Sequence, residues 1–311
     1  MADPSAYVCK LSPELQHKAK IELNETPETR TEGLTKMYEM LRARPDITCP
    51  TDVLFILGFL RARKFEVDRA FKLLENWCKA RSELTEVFTD YYPSSVKELL
   101  ECGVVTMLPT RDQEGRKVGI MRPKKWDVKK FGVWDVMKIG MMSYDMILRD
   151  EETQINGVVD LMDLEGFTMS HLSQFGPRMA MKAAPIMNQD TLPIRMKSMN
   201  ALNESGFFDA LFAIIKPFLK EKIKKRMHVH GEDLTTLHEE ISSSALPVEY
   251  GGSAGSIEDS SKKWADYILS KENEFLAMKD YGVKRSDLGS KTVDDAATME
   301  GLTGKYKKLD V

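Results

Sequence analysis

A cluster of basic residues is the first feature of this sequence that could do chemistry. Between Lys216 and Arg226 there are six lysine or arginine residues and a single acidic residue, Glu221. The whole chain, in contrast, has 45 basic and 48 acidic residues and a formal net charge of −3 at pH 7. A local concentration of positive charge on an acidic protein indicates a surface for an anionic partner. The alternative interpretation is a solvated lysine face that binds nothing.

Two pairs of basic residues could act together on one anion. Lys222 and Arg226 are four residues apart and would share one face of a helix. Arg195 and Lys197 are two residues apart in a strand-like run and would share one face of a sheet. If the end of that strand meets the helix, four cations converge, and phosphate is the anion expected there.

An apolar run lies directly before the basic residues. Its side chains, from Phe207 to Leu219, would cover most of the circumference of a helix, which then needs apolar neighbours on more than one side. Pro217 cannot continue the helix, so we expect an end or a kink near Ile215 and Lys216, with Pro217 opening the next helix. An apolar helix beside a cluster of cations is typical of a surface that contacts a membrane.

Acidic residues and histidines offer weaker candidates. Asp160, Asp163 and Glu165 could supply paired carboxylates for acid–base chemistry, although carboxylates at the end of a strand more often cap the following turn. His228 and His230 would share a strand face, as metal ligands can, but no third ligand is evident in the sequence. A structural histidine pair is therefore the favoured interpretation, and we predict no metal site.

Catalytic and nucleotide-binding motifs are missing from the sequence. It has no glycine-rich phosphate loop after its first strand, no GxSxG nucleophile elbow and no HExxH zinc motif. The glycine-rich run at 251–256 is typical of a flexible connection, and Ser170 beside His171 does not establish a catalytic triad. We therefore expect a protein that is not an enzyme and has no cofactor. An α/β enzyme acting on an ester or alcohol is the least favoured alternative.

Composition places the chain among globular proteins. Its 311 residues are 42% hydrophobic and 30% charged, with a mean hydropathy of −0.35, which excludes disordered, collagen-like and polytopic membrane classes. The acidic balance excludes a protein-wide basic field, so we expect no nucleic-acid partner. Four cysteines without short pairing, and no leader-like segment among the first 30 residues, favour a cytoplasmic location.

Hydrophobic periodicity divides the chain into blocks. Residues 12–92 follow a helical pattern, in which Thr51 and Asp52 supply cap chemistry and Cys78 lies on an apolar helix face. Residues 103–257 alternate between strand-like runs and segments long enough for helices, which predicts an α/β fold with a mostly parallel sheet. We expect a C-terminal helix over 258–281 and a poorly ordered tail over 282–311.

The α/β block gives specific element predictions. Strands are expected at 117–121, 156–164, 193–202 and 226–230. Helices are expected at 133–149, 170–187 and 207–225. Eleven of the 19 methionines lie between Met137 and Met199. Because methionine adapts to irregular apolar space, this concentration indicates either a malleable core or a malleable cavity.

Five sequence motifs, in order along the chain, resemble the CRAL-TRIO lipid-transfer family. They are FLRARKFEVDRAFKLLENW (59–77), NGVVDLMDLEGF (156–167), QDTLPIRMKSMNALN (189–203), IKPFLKEKIKKRMHVHGED (215–233) and LPVEYGG (246–252). Within that family the sequence is most similar to the branch of α-tocopherol transfer protein and cellular retinaldehyde-binding protein. The resemblance extends from about residue 12 to residue 275.

The resemblance implies an architecture and a set of functional residues. A helical N-terminal subdomain would precede a CRAL-TRIO domain, in which a mostly parallel sheet, flanking helices and a mobile lid helix enclose an apolar cavity. Positions implied to hold a phosphoinositide head group are Arg195, Lys197, Lys222 and Arg226. Positions implied to line the cavity are Met137, Gly140, Tyr144, Met162, Ile186 and Met187. Lid positions implied to face the membrane are Phe207, Phe208, Leu211 and Ile214.

Two functional hypotheses follow from these expectations. The first is an intracellular lipid-transfer protein that carries a tocopherol-, retinoid- or carotenoid-like ligand and docks transiently on phosphoinositide-containing membranes, where the lid opens. The second is a regulatory module of the same fold that senses phosphatidylinositol. Either would be a monomer in solution. Tyr144 is the predicted cavity residue with a polar group, which could bond a ligand or a neighbouring backbone group.

Overall fold

The computed structural model describes residues 7–204 and 206–284. Six helices come before the main sheet: α1 Pro13–Leu23, α2 Pro27–Arg42, α3 Val53–Ala62, α4 Val67–Glu83, α5 Thr85–Phe88 and α6 Lys97–Glu101. The side chains of Ser12, Thr26 and Asp52 cap the first three helices, each accepting a hydrogen bond from the backbone N–H three residues later. The predicted cap at Asp52 is therefore confirmed.

The N-terminal helices pack around the apolar face of α4. Ala70, Phe71, Leu74, Trp77 and Cys78 are all buried, as the helical spacing predicted. A two-residue strand, β1 (Ile47–Thr48), lies between α2 and α3. The burial of Cys78 within this core agrees with its prediction as a small apolar side chain.

A five-stranded sheet forms the centre of the α/β block. Its strands are β2 Val105–Arg111, β3 Lys117–Met121, β4 Val158–Asp163, β5 Met196–Leu202 and β6 Met227–Val229, in the order β2-β3-β4-β5-β6. The pairs from β3 to β6 are parallel, and β2 pairs antiparallel with β3. All four predicted strands are present. The edge strand β2 was not predicted, and it contains Pro109, which an edge strand tolerates.

Helices cover both faces of this sheet. They are α7 Val133–Ile147, α8 Glu151–Asn156, α9 Met169–Leu172, α10 Pro177–Met187, α11 Gly206–Ile215, α12 Glu221–Lys224, α13 Leu234–Glu240, α14 Ile257–Leu269 and α15 Glu272–Leu276. The helix predicted over 170–187 is divided into α9 and α10, and Pro177 begins the second part. As predicted, α11 ends at Ile215, and Pro217 then lies in a 3-10 turn before α12.

The C-terminal segment returns to the N-terminal helices. The helix predicted over 258–281 is two helices, α14 and α15, followed by a 3-10 turn over Ala277–Asp280. Strand β7 (Gly282–Val283) pairs antiparallel with β1. The first residues of the predicted tail are thus ordered by main-chain pairing, and residues 285–311 lie outside the described part of the chain.

The two faces of β4 have different surroundings. Val159 and Leu161 are fully buried in an apolar cluster with Leu237 and Ile241. Asp160 and Met162 point to the opposite face, toward α7 and α11, and both keep accessible surface. Across 7–204 and 206–284, no helix is both long enough and apolar enough to span a bilayer.

Candidate functional site

Helix α7 presents a stripe of partly accessible residues to the interior. Met137, Gly140 and Tyr144 keep accessible surface, whereas Ile139 and Met142 between them are buried. Their spacing of three and four residues places them on one helix face. A Cβ atom added to Gly140 would meet no atom within 4 Å, so there is open space beside this helix face.

Tyr144 and Asp160 show that this space lies inside the protein. Burial raises the pKa values of both side chains, so both lie deep in the fold, yet both keep surface that a water molecule could touch. The accessible surface therefore belongs to an internal space. We refer to the space bordered by Gly140, Tyr144 and Asp160 as the hollow.

Tyr144 donates a hydrogen bond directly to Oδ2 of Asp160 at the edge of the hollow. Burial raises the pKa of Asp160 to about 6, although the hydrogen bond from Tyr144 acts in the opposite direction. Burial and the neighbouring carboxylate raise the pKa of Tyr144 well above its usual value. The polar group of Tyr144 thus bonds a carboxylate, and not the ligand or backbone group that was predicted.

The other two predicted carboxylates have structural partners on the opposite face of the sheet. Asp163 accepts the Glu165 backbone N–H at 3.1 Å, the Asn203 amide at 2.8 Å and the Tyr250 hydroxyl at 3.0 Å. Glu165 forms an ion pair with Lys124. Both acids line a polar cleft of about 330 Å³. The expectation of a turn cap holds for Asp163 and is wrong for Asp160, which faces the hollow from within β4.

The remaining predicted cavity residues lie around the same side of the sheet. Met162 follows Asp160 on the same face of β4 and packs beside α11. Ile186 and Met187 are in the last turn of α10, and both are partly accessible. Ile186 belongs with Met137 and Tyr144 to the residues that pack along the large apolar core. The hydrogen bond from Tyr144 links α7 to β4, and α10 contacts α11, the helix beside Met162.

Helix α11, the predicted lid, is amphipathic in its packing. Phe208 and Leu211 are 8% and 5% exposed and pack in a cluster with Phe167, against which Ile214 also lies. Phe207 is 37% exposed on the outer side. In this structure Phe208 and Leu211 lie on the inner helix face, since residues three apart share a face. That the four lid positions face a membrane stays a prediction.

Arg195 and Lys197, two of the four residues predicted to bind phosphate, already lie beside an acidic residue. Arg195 donates to Glu22 at 2.7 Å, and the Lys197 ammonium lies 3.5 Å from the same carboxylate oxygen. Glu22 belongs to α1, so no local pattern in the sequence connected it with these residues. Burial and then the neighbouring Arg195 lower the pKa of Lys197, an effect that Glu22 opposes.

Lys222 and Arg226, the other two residues predicted to bind phosphate, lie beside Arg195 and Lys197. Arg226 donates to the Met196 carbonyl at the start of β5. Burial and then Arg195 lower the pKa of Arg226, while burial and then Arg226 lower the pKa of Lys222. The structure therefore brings Arg195, Lys197, Lys222 and Arg226 together, and we call them the basic cluster. The predicted shared helix face is wrong, because α12 ends at Lys224, two residues before Arg226.

Three more cations border the basic cluster. Arg63, Lys64 and Arg69, from the end of α3 and the start of α4, also lower the pKa of Lys222. No local pattern in the sequence connects these residues with the basic cluster, because at least 126 positions of the chain separate them from it. The crowding of like charges is unfavourable in the protein alone and is relieved when an anion binds.

A turn at residues 188–190 connects the basic region with the end of the lid. The Asn188 amide donates to the Phe218 carbonyl at 2.8 Å, and its oxygen accepts the Lys220 backbone N–H at 2.8 Å. Arg63 donates to the Gln189 carbonyl at 2.9 Å. One short turn is thus hydrogen bonded to a cation beside the basic cluster and to the segment that follows α11.

The histidine pair has structural partners. His230 bonds Asn200 and Thr236, each at 3.0 Å, and its ring stacks with that of His228 at a centroid distance of 6.5 Å. Both ring nitrogens of His230 are engaged within the fold. Among the residues that the structure describes, no group of three or more His, Cys, Asp or Glu is arranged to hold a metal ion.

Comparison with known proteins identifies the family. The model of the CRAL/TRIO N-terminal domain matches residues 14–76, and that of the CRAL/TRIO domain matches residues 101–252. The chain belongs to the CRAL/TRIO family. The second match contains α7, β4, α10, α11 and the whole basic cluster, so the site described above lies within the CRAL/TRIO domain.

Curated relatives of this CRAL/TRIO protein cover most of its length. A human protein named alpha-tocopherol transfer protein-like is 40% identical over 275 residues, covering 88% of this chain and 80% of its own. Mouse clavesin-2 is 33% identical over 303 residues, covering 96% and 91%. Clavesin-1 of Xenopus laevis is 35% identical over 245 residues, covering 78% and 74%.

Proposed function

We propose that this CRAL/TRIO protein is a non-enzymatic carrier of a small hydrophobic ligand that docks transiently on phosphoinositide-containing membranes. The observation that carries the proposal is the hollow. Tyr144 and Asp160 keep accessible surface deep inside the protein, and Gly140 leaves open space beside them. A soluble protein that encloses apolar space can shield a lipid from water.

Energetics favour a carrier that docks before it exchanges its cargo. Burying a chain of about 16 carbons is worth roughly 13 kcal/mol relative to water, at about 0.8 kcal/mol per methylene. A lipid already has this stabilisation in a bilayer, so transfer into the hollow is nearly balanced. The barrier is exposure to water on the way, and a lid that opens against the membrane removes that exposure.

Exposed apolar residues on adjacent helices form a suitable membrane surface. Met169 on α9, Met181 on α10 and Phe207 on α11 are 58%, 42% and 37% exposed. These helices pack against one another, with α11 in contact with both of the others. Apolar side chains that insert into the interface, next to cations that attract anionic lipids, together give reversible docking.

The basic cluster and the turn at residues 188–190 support coupling between docking and lid opening. An anion bound beside Arg63 competes for the cation that holds the Gln189 carbonyl. The same turn holds Phe218 and Lys220 through Asn188. Binding of a phosphoinositide head group would thus shift the population toward an open lid, provided that the open state binds it better.

The ligand class is proposed from the family and the relatives. The name of the human relative refers to α-tocopherol transfer, which supports a tocopherol-like cargo; retinoid- and carotenoid-like lipids are the other candidates. Methionines around the hollow favour elongated apolar ligands of several shapes. We place this carrier in the cytoplasm, as a monomer that visits membranes.

The test uses two paired double variants. Lys222→Ala with Arg226→Ala should weaken binding to phosphatidylcholine vesicles containing phosphatidylinositol 4,5-bisphosphate by about thirtyfold, since each cation contributes about 1 kcal/mol. Lys262→Ala with Lys263→Ala removes the same charge from α14, which packs on the opposite sheet edge, and should leave binding unchanged. Vesicle sedimentation measures both.

Analysis of bound lipid completes the test. Mass spectrometry of an organic extract should find the same hydrophobic ligand in both double variants as in the unmodified protein. Vesicle binding that survives the loss of Lys222 and Arg226 would contradict the docking site. An extract that contains only phosphatidylinositol would favour the lipid-sensing alternative over the carrier.

A further inference from the structure

Only one of the two carboxylate oxygens of Asp160 accepts a hydrogen bond from the described part of the protein. Its Oδ2 accepts the hydrogen bond from Tyr144. Its Oδ1 has no hydrogen-bond donor among the described residues, and no lysine or arginine in that part of the chain pairs with the group. Asp160 retains accessible surface, and Oδ1 is not one of the fully buried side-chain atoms without a hydrogen-bond partner, so this oxygen is itself accessible beside the hollow.

The neighbouring strand leaves room for this oxygen. Gly119 on β3 is the register partner of Asp160 on β4. A Cβ atom at Gly119 would lie 2.5 Å from Oδ1 of Asp160, closer than any real contact allows. Because residue 119 is a glycine, no side chain from this position of β3 takes the place that Oδ1 occupies.

A buried carboxylate without a cation is unfavourable unless hydrogen bonds satisfy it. Tyr144 supplies one such bond, and the second oxygen has the capacity for another. Gly140 lies one helical turn before Tyr144 on the same face of α7, with open space beside it. The hollow therefore has both an unused acceptor and the room for a group that could donate to it.

We propose that Oδ1 of Asp160 accepts a hydrogen bond from the polar end of the bound lipid, so that the protein selects lipids that carry a hydroxyl group. This inference rests on the carrier function proposed above and specifies its ligand. An alcohol or phenol donates to the carboxylate. An ether or a hydrocarbon has no donor, and an ionised fatty acid repels the carboxylate.

The preference should be large, because a hydrogen bond to an ionised acceptor is about twice as strong as a neutral one. The probes are hexadecan-1-ol and its methyl ether, which have the same chain and differ in the hydroxyl hydrogen. The full-length protein is incubated with vesicles containing both in equal amounts, re-isolated and analysed by mass spectrometry. We expect at least roughly tenfold enrichment of the alcohol, equivalent to about 1.4 kcal/mol.

Three variants assign the preference to Asp160. Asp160→Leu removes the acceptor and should reduce the alcohol-to-ether ratio to about one. Asp160→Asn keeps an acceptor oxygen without the charge and should give an intermediate ratio. Tyr144→Phe removes the neighbouring hydroxyl but leaves the carboxylate in place, so it should preserve the alcohol preference.

The outcomes separate this inference from the carrier function. Uptake of alcohol and ether in equal amounts by the unmodified protein overturns the selectivity and leaves the carrier intact. An alcohol preference that persists in Asp160→Leu overturns the role of Asp160. Failure of the unmodified protein to take up either probe, or the native lipid, overturns both proposals.

Discussion

The two faces of strand β4 differ in how completely they are packed. On one face, Val159 and Leu161 have no accessible surface and lie among apolar side chains of neighbouring elements. On the other face, Asp160 borders the hollow, and Met162 is partly accessible beside α11. Because side chains alternate along a strand, adjacent residues of β4 differ in packing: Val159 and Leu161 fill the apolar core, whereas Asp160 and Met162 keep accessible surface.

The largest expected difference between the two faces is in stability. Leu161→Ala should lower the free energy of unfolding by about 2–5 kcal/mol, because it leaves a cavity in a filled core. Met162→Ala, the neighbouring substitution, should lower it by less than half as much, since Met162 is already partly accessible. Urea unfolding followed by circular dichroism measures both. Equal losses would contradict the difference in packing.

The Asp160 carboxylate should make the protein's free energy of unfolding depend on pH. Its pKa is about 6 in the folded protein and about 3.9 in an unfolded chain, so the folded state binds more protons between these values. Stability contributed by this group is therefore lost as pH rises from about 4 to 6. Asp160→Asn should remove this dependence and stabilise the protein at pH 7.5 by up to about 3 kcal/mol.

Chemical unfolding of both proteins from pH 4.5 to 7.5 tests this prediction. The gap between Asp160→Asn and the unmodified protein should widen with rising pH. A constant gap over that range would show that the carboxylate does not carry a raised pKa, and would count against its burial beside the hollow.

The smallest stability change is expected for a substitution that fills the hollow. Gly140→Leu should stabilise helix α7 by up to about 1 kcal/mol through helix propensity, while ligand loading falls at least roughly tenfold. Gly140→Ala is the matched control, because it gives a similar helix gain with one methyl group and should retain most loading. Loading measured by extraction that is unaffected in Gly140→Leu would place the ligand elsewhere.

Local patterns predicted the elements that obey local rules. The cap at Asp52, the buried face of α4 and the end of α11 at Ile215 all follow from residues within one or two helical turns. Strand β3 has the predicted bounds, and the other predicted strands are present with shorter ones. Edge strand β2 was not predicted, because its strand conformation depends on pairing with β3 and not on an alternation of apolar and polar residues in its own sequence.

The site was predicted less completely, because its contacts join distant parts of the chain. Arg195 and Lys197 were recognised as a pair, but their partner Glu22 lies more than 170 residues earlier. Asp160 was grouped with Asp163 by proximity in sequence, although the two side chains lie on opposite sides of the sheet. The contact between Tyr144 and Asp160 depends on how α7 crosses β4.

The sequence alone determined the α/β architecture, the apolar helix followed by cations, and the family that these motifs indicate. Tertiary structure decided which side chains meet: Glu22 beside Arg195, Tyr144 against Asp160, and Phe208 turned inward while Phe207 is exposed. The physical reason is the range of the interactions. Periodicity and capping act over a few residues, whereas burial and charge pairing act through space between residues that the chain itself keeps far apart.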